Sequence, residues 1–380
     1  MGRFVATTYA LFRPAIRHTR TNSEQLSATR FYSPALDGLR FLAAFSVIVH
    51  HAPAVFGLSW LKGIGWAGVD LFLCISSFLL TRLLLAEHDR LGSISLRKFY
   101  IRRALRIWPL YFAVATLACA ATAILKGDPR MAAGWWLSHL TFSNNLFRAL
   151  LGSSPIIATS HLWTISLEEQ AYLVLPIVLT ALLAYQVSIN TLIRMVAAAV
   201  GLLLTIRFAI WLAGAPFDIV WVTPLRSDSF LVGTVLAFLT RRSTPQGGVF
   251  WLLPGFGLIA LVPLLSDAHW WVYEIFGFTI VAVGCGMLVL ATQASPAVSR
   301  VLSFKPLRYL GKISYGIYVF HVLALKVTEW LSTKLQFGAA LTLIATVALT
   351  VAISVISYEL FEKIFLRLKE RFTVIASRPV

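Results

Sequence analysis

Apolar runs of roughly twenty residues, separated by short polar connectors, repeat along the chain from residue 36 to residue 361. A hydrocarbon core about 30 Å thick takes ~20 residues of helix at 1.5 Å each, so runs of this length predict membrane-crossing helices. They fall at 36–53, 66–86, 107–125, 161–183, 192–213, 220–239, 250–265, 270–291, 313–331 and 339–361, the seventh being the shortest. The pattern predicts an all-α polytopic membrane protein of about ten transmembrane helices. Pro109 is expected at the start of the third, where a missing N–H costs nothing. Residues 126–160 are too polar to span. They still carry Trp135, Trp136, Phe142 and Phe147, and read as a loop with interfacial or re-entrant helix whose aromatics lie at headgroup depth. No internal repeat and no soluble domain emerges.

Composition agrees. Of 380 residues, 58% are hydrophobic and 13% charged, with a mean hydropathy of +0.78, outside the range of ordinary soluble domains. The formal net charge of +17 comes from residues scattered between apolar runs and not from one patch, so no nucleic-acid partner is expected. Topology accounts for the charge. Both tails and the connectors at 82–106, at Arg241 with Arg242, and at Arg300, Lys305, Arg308 and Lys312 are basic. The alternate connectors hold only Lys62, Lys126, Arg130, Asp267 and Lys334. The positive-inside rule then puts both termini in the cytoplasm, and the expected location is the cytoplasmic (inner) membrane. The expected organisation is a basic cytoplasmic tail at 1–35, a transmembrane domain at 36–362 and a second basic cytoplasmic tail at 363–380. The first span is expected to be retained, and a transit-like leader is the alternative for the Arg-rich tail. Cys74, Cys119 and Cys285 lie inside apolar runs with neither metal nor disulfide spacing, so no metal site is expected.

Ionisable groups inside such runs are site candidates. In LDGLRFLAAFSVIVHHAP, Arg40 and His51 fall only ~20° apart around a helix and ~16 Å apart along it, whereas His50 falls ~80° away. Asp37 and, in the second run, Asp70 add acids. HLWTISLEEQAY places His161 and Glu168 on one helical face, with Glu168 about 10 Å deeper and near the expected depth of His51. A carboxylate on an imidazole fixes its tautomer and raises its basicity, as a general base requires. Glu169 competes for that role, and a structural ion pair remains open for both acids. In FYIRRALRIWP, Arg103 and Arg106 share a face and suit a phosphate or pyrophosphate, although positive-inside placement alone also puts arginines there. Arg226 and Asp228 in PLRSDSFLVG are expected to pair with each other or with another buried charge. Tyr315, Tyr318 and His321 in GKISYGIYVFH form a polar stripe that either lines a cavity or satisfies neighbouring helices.

Taken in order, LDGLRFLAAFSVIVHH, GVDLFLCISSFLL, RRALRIWP, HLWTISLEEQAY, LRSDSFLVG and GKISYGIYVFH resemble the membrane-bound acyltransferase 3 family, whose members O-acylate sugars and other hydroxyl-bearing acceptors. The resemblance covers about residues 33–365. It implies an acyl-CoA-dependent O-acyltransferase, acetyl-CoA being the default donor substrate, with a saccharide or lipid-linked saccharide acceptor and no bound cofactor. It implies Arg40 and His51 as the paired arginine and histidine of the first span, Glu168 as the acidic partner, and Arg103 with Arg106 as the donor-associated motif. His51, oriented by Glu168, would take the proton of the acceptor hydroxyl. Two positions depart from the family pattern: Ser77 stands where Gly is usual after Ser76, and Ala171 where an aromatic often follows Glu-Glu-Gln. Some relatives carry an appended extracytoplasmic domain, which is not expected here. A secondary transporter of an acylated solute is the alternative function, but transporters often show paired broken helices in two related halves, whereas the charged motifs here cluster unevenly, mostly in the first four spans.

Overall fold

The computed structural model describes residues 31–53, 60–214, 219–241, 245–268 and 270–376. The Arg-rich tail therefore lies almost wholly outside the described residues. Among them there is no strand. In chain order the α-helices of six residues or more are α1 Pro34–His51, α2 Trp60–Gly65, α3 Ala67–Leu91, α4 Leu96–Lys126, α5 Pro129–Leu140, α6 Asn144–Leu151, α7 Trp163–Ala184, α8 Ile189–Leu212, α9 Asp228–Leu239, α10 Leu252–Ala268, α11 Phe278–Ala294, α12 Pro296–Leu302, α13 Lys305–Lys312, α14 Ser314–Leu335, α15 Ala339–Ser357 and α16 Lys363–Glu370. Many side chains on the outer faces are large, apolar and exposed, as lipid-facing surfaces require, among them Leu117, Leu125, Leu253 and Leu360.

Every predicted apolar run is largely helical, while the count of about ten spans is not confirmed. Among the described residues six helical segments are long and apolar enough to cross a bilayer, and a seventh follows if α13 and α14, bent by 74°, form one span. The sixth run shows why. Arg226 and Asp228 stop a continuous helix there: a 3₁₀ turn over Thr223–Arg226 precedes α9, which is only 12 residues long. The third run differs as well. α4 starts at Leu96 and runs through Pro109, so the basic connector is helical and Arg103 and Arg106 sit on its inner turns. Gly92, at φ 72°, closes α3 in the left-handed region that suits glycine. Glu87 then accepts from the Ser95 N–H at 2.8 Å and from Arg102 at 3.2 Å, fixing the α3–α4 corner. The polar stretch after α4 is two helices, α5 and α6. The segment assigned to a C-terminal tail continues α15 through a π-turn at Tyr358–Glu362 into α16, which packs on α4.

Two buried ion pairs tie the middle of the bundle. Arg226 binds Asp70 at 3.1 Å, with Ser229 donating to the same carboxylate at 2.9 Å. Asp228 takes Arg207, and Thr279 donates to it at 2.6 Å. Arg226 and Asp228 are two positions apart and point to opposite sides, so each finds a different partner. Asp70, Arg226 and Asp228 thus pair within the bundle and do not line the cavity described below. The departure at Ser77 is absorbed across the α3–α9 contact: a Cβ on Gly233 would stand 2.0 Å from Ser77 Oγ and 2.4 Å from the Cys74 carbonyl.

Breaking a buried pair strands its partner charge, at about 3–5 kcal/mol. Arg226→Ala is therefore expected to lower the unfolding midpoint of detergent-solubilised protein sharply, and the Arg226→Met/Asp70→Leu double variant to recover most of the loss. Gly233→Ala is expected to destabilise by about 1–3 kcal/mol through overpacking, in the same thermal assay.

Candidate active site

α1, α3, α4, α7, α13, α14 and α16 line an open-mouthed cavity of about 170 Å³. Five cations line it, Arg40, Arg103, Arg106, Lys312 and Lys369, against two acids, Asp37 and Glu168. The local sequence explains the convergence. Arg103 and Arg106 are brought to one side of α4 by their i, i+3 spacing. Arg40 reaches the same space from α1, whose close seat against α13 needs glycine: a Cβ on Gly311 would stand 1.7 Å from the Asp37 carbonyl oxygen. The Nε atoms of Arg40 and Arg103 are buried with no hydrogen-bond partner. Arg103 lies 6.0 Å from the ring centre of Tyr172, and Arg106 5.9 Å from that of Tyr315. Asp37 accepts from the Tyr32 hydroxyl at 2.9 Å.

Glu168 faces this cavity. Tyr172 donates to it at 2.8 Å, and Arg40 and Arg103 are the cations that act on it. Glu169 turns away and accepts from the Trp108 indole N–H at 2.8 Å. Tyr172 was missed in the sequence, though its i+4 spacing from Glu168 was visible; Lys312 and Lys369 were read only as topology signals. Tyr315 lines the cavity and donates to the Ile107 carbonyl at 2.7 Å. Tyr318 closes its far end, with its hydroxyl 2.5 Å from Thr164 Oγ1 and 2.7 Å from the His161 carbonyl oxygen.

Beyond Tyr318 stands a row of imidazoles. The Tyr318 ring lies 5.4 Å from His161 and 5.5 Å from His321. His161 and His321 are 4.6 Å apart, His321 and His51 5.0 Å, and His51 and His50 4.9 Å. His51 itself does not line the cavity, and its side chain is exposed at the end of α1. Its Nδ1 lies 2.9 Å from the Val47 carbonyl oxygen, while His50 Nδ1 lies 2.7 Å from the Lys62 carbonyl oxygen. A carbonyl only accepts, so Nδ1 of His51 carries the proton and Nε2 is the basic atom.

The contact expected between Glu168 and His51 is therefore not formed: the carboxylate belongs to the cavity and the imidazole to the far side of Tyr318. The reason lies in α7. It begins at Trp163, so His161 precedes it, in a turn, and the helical arithmetic from His161 to Glu168 does not hold. What orients His51 is a backbone carbonyl one turn earlier on its own helix. His161 and His321 were singled out in the sequence as separate features, and the packing of α14 against the segment before α7 brings them together.

Comparison with known proteins gives one family. The profile described as an acyltransferase domain matches residues 33–359. The peptidoglycan O-acetyltransferase OatA of Listeria monocytogenes is 30% identical over 320 residues, 77% of this chain and 49% of that protein. The O-acetyltransferase OatA of Staphylococcus aureus is 31% identical over 312 residues, 76% of this chain and 50% of that protein. The chain thus spans about half the length of these curated relatives. No solved structure matches significantly.

The native cysteines are free and buried, which permits a test of the cavity boundary. A cysteine introduced at Ser76, on the cavity wall, is expected to react with a small methanethiosulfonate, and one at buried Ser229 to stay unreacted. Equal labelling at both positions contradicts the cavity boundary described.

Proposed function

The chain belongs to the acyltransferase 3 family, and from that premise we propose that it is a multi-pass membrane O-acyltransferase, moving an acetyl group from cytoplasmic acetyl-CoA to a hydroxyl of a saccharide acceptor. The observation that carries this reading is the layered order of the site: a cation-rich cavity, then Tyr318, then a row of histidines ending at exposed His51. The charge bias of the connectors supports a cytoplasmic position for the cavity mouth, cytoplasmic termini and the inner membrane.

In this reading the cavity arginines hold the phosphates of the donor. Arg103 and Arg106 meet them as charge-assisted donors, while Arg40, balanced by Glu168, binds nearer the thioester. Glu168 and Tyr172 position Arg40 and Arg103. The thioester reaches the level of Thr164 and Tyr318, and displacement of the Tyr318 ring brings its carbonyl to the His51 side. There, Nε2 of His51 removes the proton of the acceptor hydroxyl as the oxygen attacks the thioester carbon. The Val47 carbonyl keeps the imidazole in the tautomer that leaves Nε2 bare, the orienting part that the sequence had assigned to Glu168. The acceptor comes from the face on which His51 is exposed. A cell-wall polysaccharide is the first acceptor class to try, because the Listeria relative is named for peptidoglycan.

The test uses purified protein in nanodiscs. Wild type is expected to bind CoA and to transfer acetyl groups to a saccharide. Arg103→Ala is expected to weaken CoA binding by about 10- to 100-fold, the equivalent of losing a charged hydrogen bond. His51→Asn is expected to bind CoA normally and to lose about 10²- to 10⁴-fold in turnover. CoA binding indifferent to the arginines, or full turnover without His51, contradicts the proposal.

A further inference from the structure

The imidazole row holds more basic nitrogen than a single base requires. His161 Nε2 lies 3.1 Å from the Val319 carbonyl oxygen and His321 Nδ1 2.6 Å from the Tyr318 carbonyl oxygen. Adjacent carbonyls on one turn of α14 thus fix both rings, and each of those nitrogens carries the ring proton. The other two, His161 Nδ1 and His321 Nε2, are then lone-pair acceptors, and both are buried with no hydrogen-bond partner. An unsatisfied buried acceptor costs about 1–3 kcal/mol. Two of them on rings 4.6 Å apart are a standing cost that an apolar pair of similar size would avoid.

One added proton changes this. It turns one of the bare nitrogens into a donor beside the other, which stays an acceptor; the two make no hydrogen bond with each other as the rings stand, so sharing the proton takes a small reorientation of the rings. A second proton would place two positive rings side by side in apolar surroundings, which like-charge repulsion disfavours. The pair is suited to hold one proton. His321 adjoins His51 on one side, and both rings pack on Tyr318, the end wall of the cavity, on the other.

We propose that His161 and His321 form a proton-holding pair that receives, through His321, the proton His51 takes from the acceptor, and returns it to the departing sulfur. The inference rests on the acyl-transfer reading above. The acceptor O–H bond breaks, a C–O bond forms, the C–S bond breaks with its electron pair going to sulfur, and the proton ends on that sulfur as the thiol. No oxidant, reductant or net proton is needed. The pair gives that proton a resting place beside His51 until the C–S bond has broken.

His321→Asn tests it, because an asparagine amide can still donate to the Tyr318 carbonyl while offering no basic ring nitrogen. In nanodiscs, alongside wild type and His51→Asn, the variant is expected to keep CoA binding, unfolding midpoint and both KM values, and to lose about 10²-fold in kcat. The solvent isotope effect on kcat is expected to respond to more than one proton in wild type and to one in the variant. Turnover in His321→Asn within a factor of about two of wild type overturns the pair. So does a loss of turnover matched by loss of CoA binding or of thermal stability. If His51→Asn is silent while His321→Asn is active, the pair fails and the acyl-transfer reading stands. If His51→Asn is itself fully active, both fail.

Discussion

A guanidinium taken out of water must find compensating charge or remain a site for something that brings it. The bundle shows both outcomes. Arg226 and Arg207 are matched by Asp70 and Asp228 and fasten α3, α8, α9 and α11 into the part of the bundle that does not need to move. Arg40, Arg103 and Arg106 share their space with fewer acids than cations. The contrast lies in the local balance of acids to cations, since Arg226 Nε and Nη1 are themselves buried with no hydrogen-bond partner although Arg226 is paired with Asp70.

Much of this was legible before the structure. The all-α character followed from run length, and Arg40, Arg103, Arg106, Glu168, Tyr315 and Tyr318 do line one cavity. The span count was not legible, because a twenty-residue apolar run says nothing about a break inside it: the turn at Thr223–Arg226 is set by where Arg226 and Asp228 find their partners. The start of α4 was misread for a related reason. Arginines looked like a connector, but an amphipathic turn can carry them into a helix whose apolar face is already packed. The Glu168–His51 pairing failed because depth arithmetic assumed that His161 was helical.

Departures from the family pattern turn out to be local. Ser77 fits because Gly233 faces it. Ala171 belongs to no cavity wall, whereas Tyr172 beside it holds Glu168. Both leave intact the layered order of cavity, Tyr318 and histidines, and that order gives the proposed chemistry its direction, with donor on one side and acceptor on the other.

The central claim is that the donor lies in the cation-rich cavity with its reacting end at Tyr318. The most direct measurement is a cryo-EM structure of the protein in nanodiscs with a non-hydrolysable acetyl-CoA analogue in which sulfur is replaced by methylene. The account predicts phosphate density against Arg103 and Arg106 and the acetyl group beside Tyr318 and Thr164, pointing toward His51. An analogue seated elsewhere, or one whose acetyl end points away from the histidine row, contradicts it.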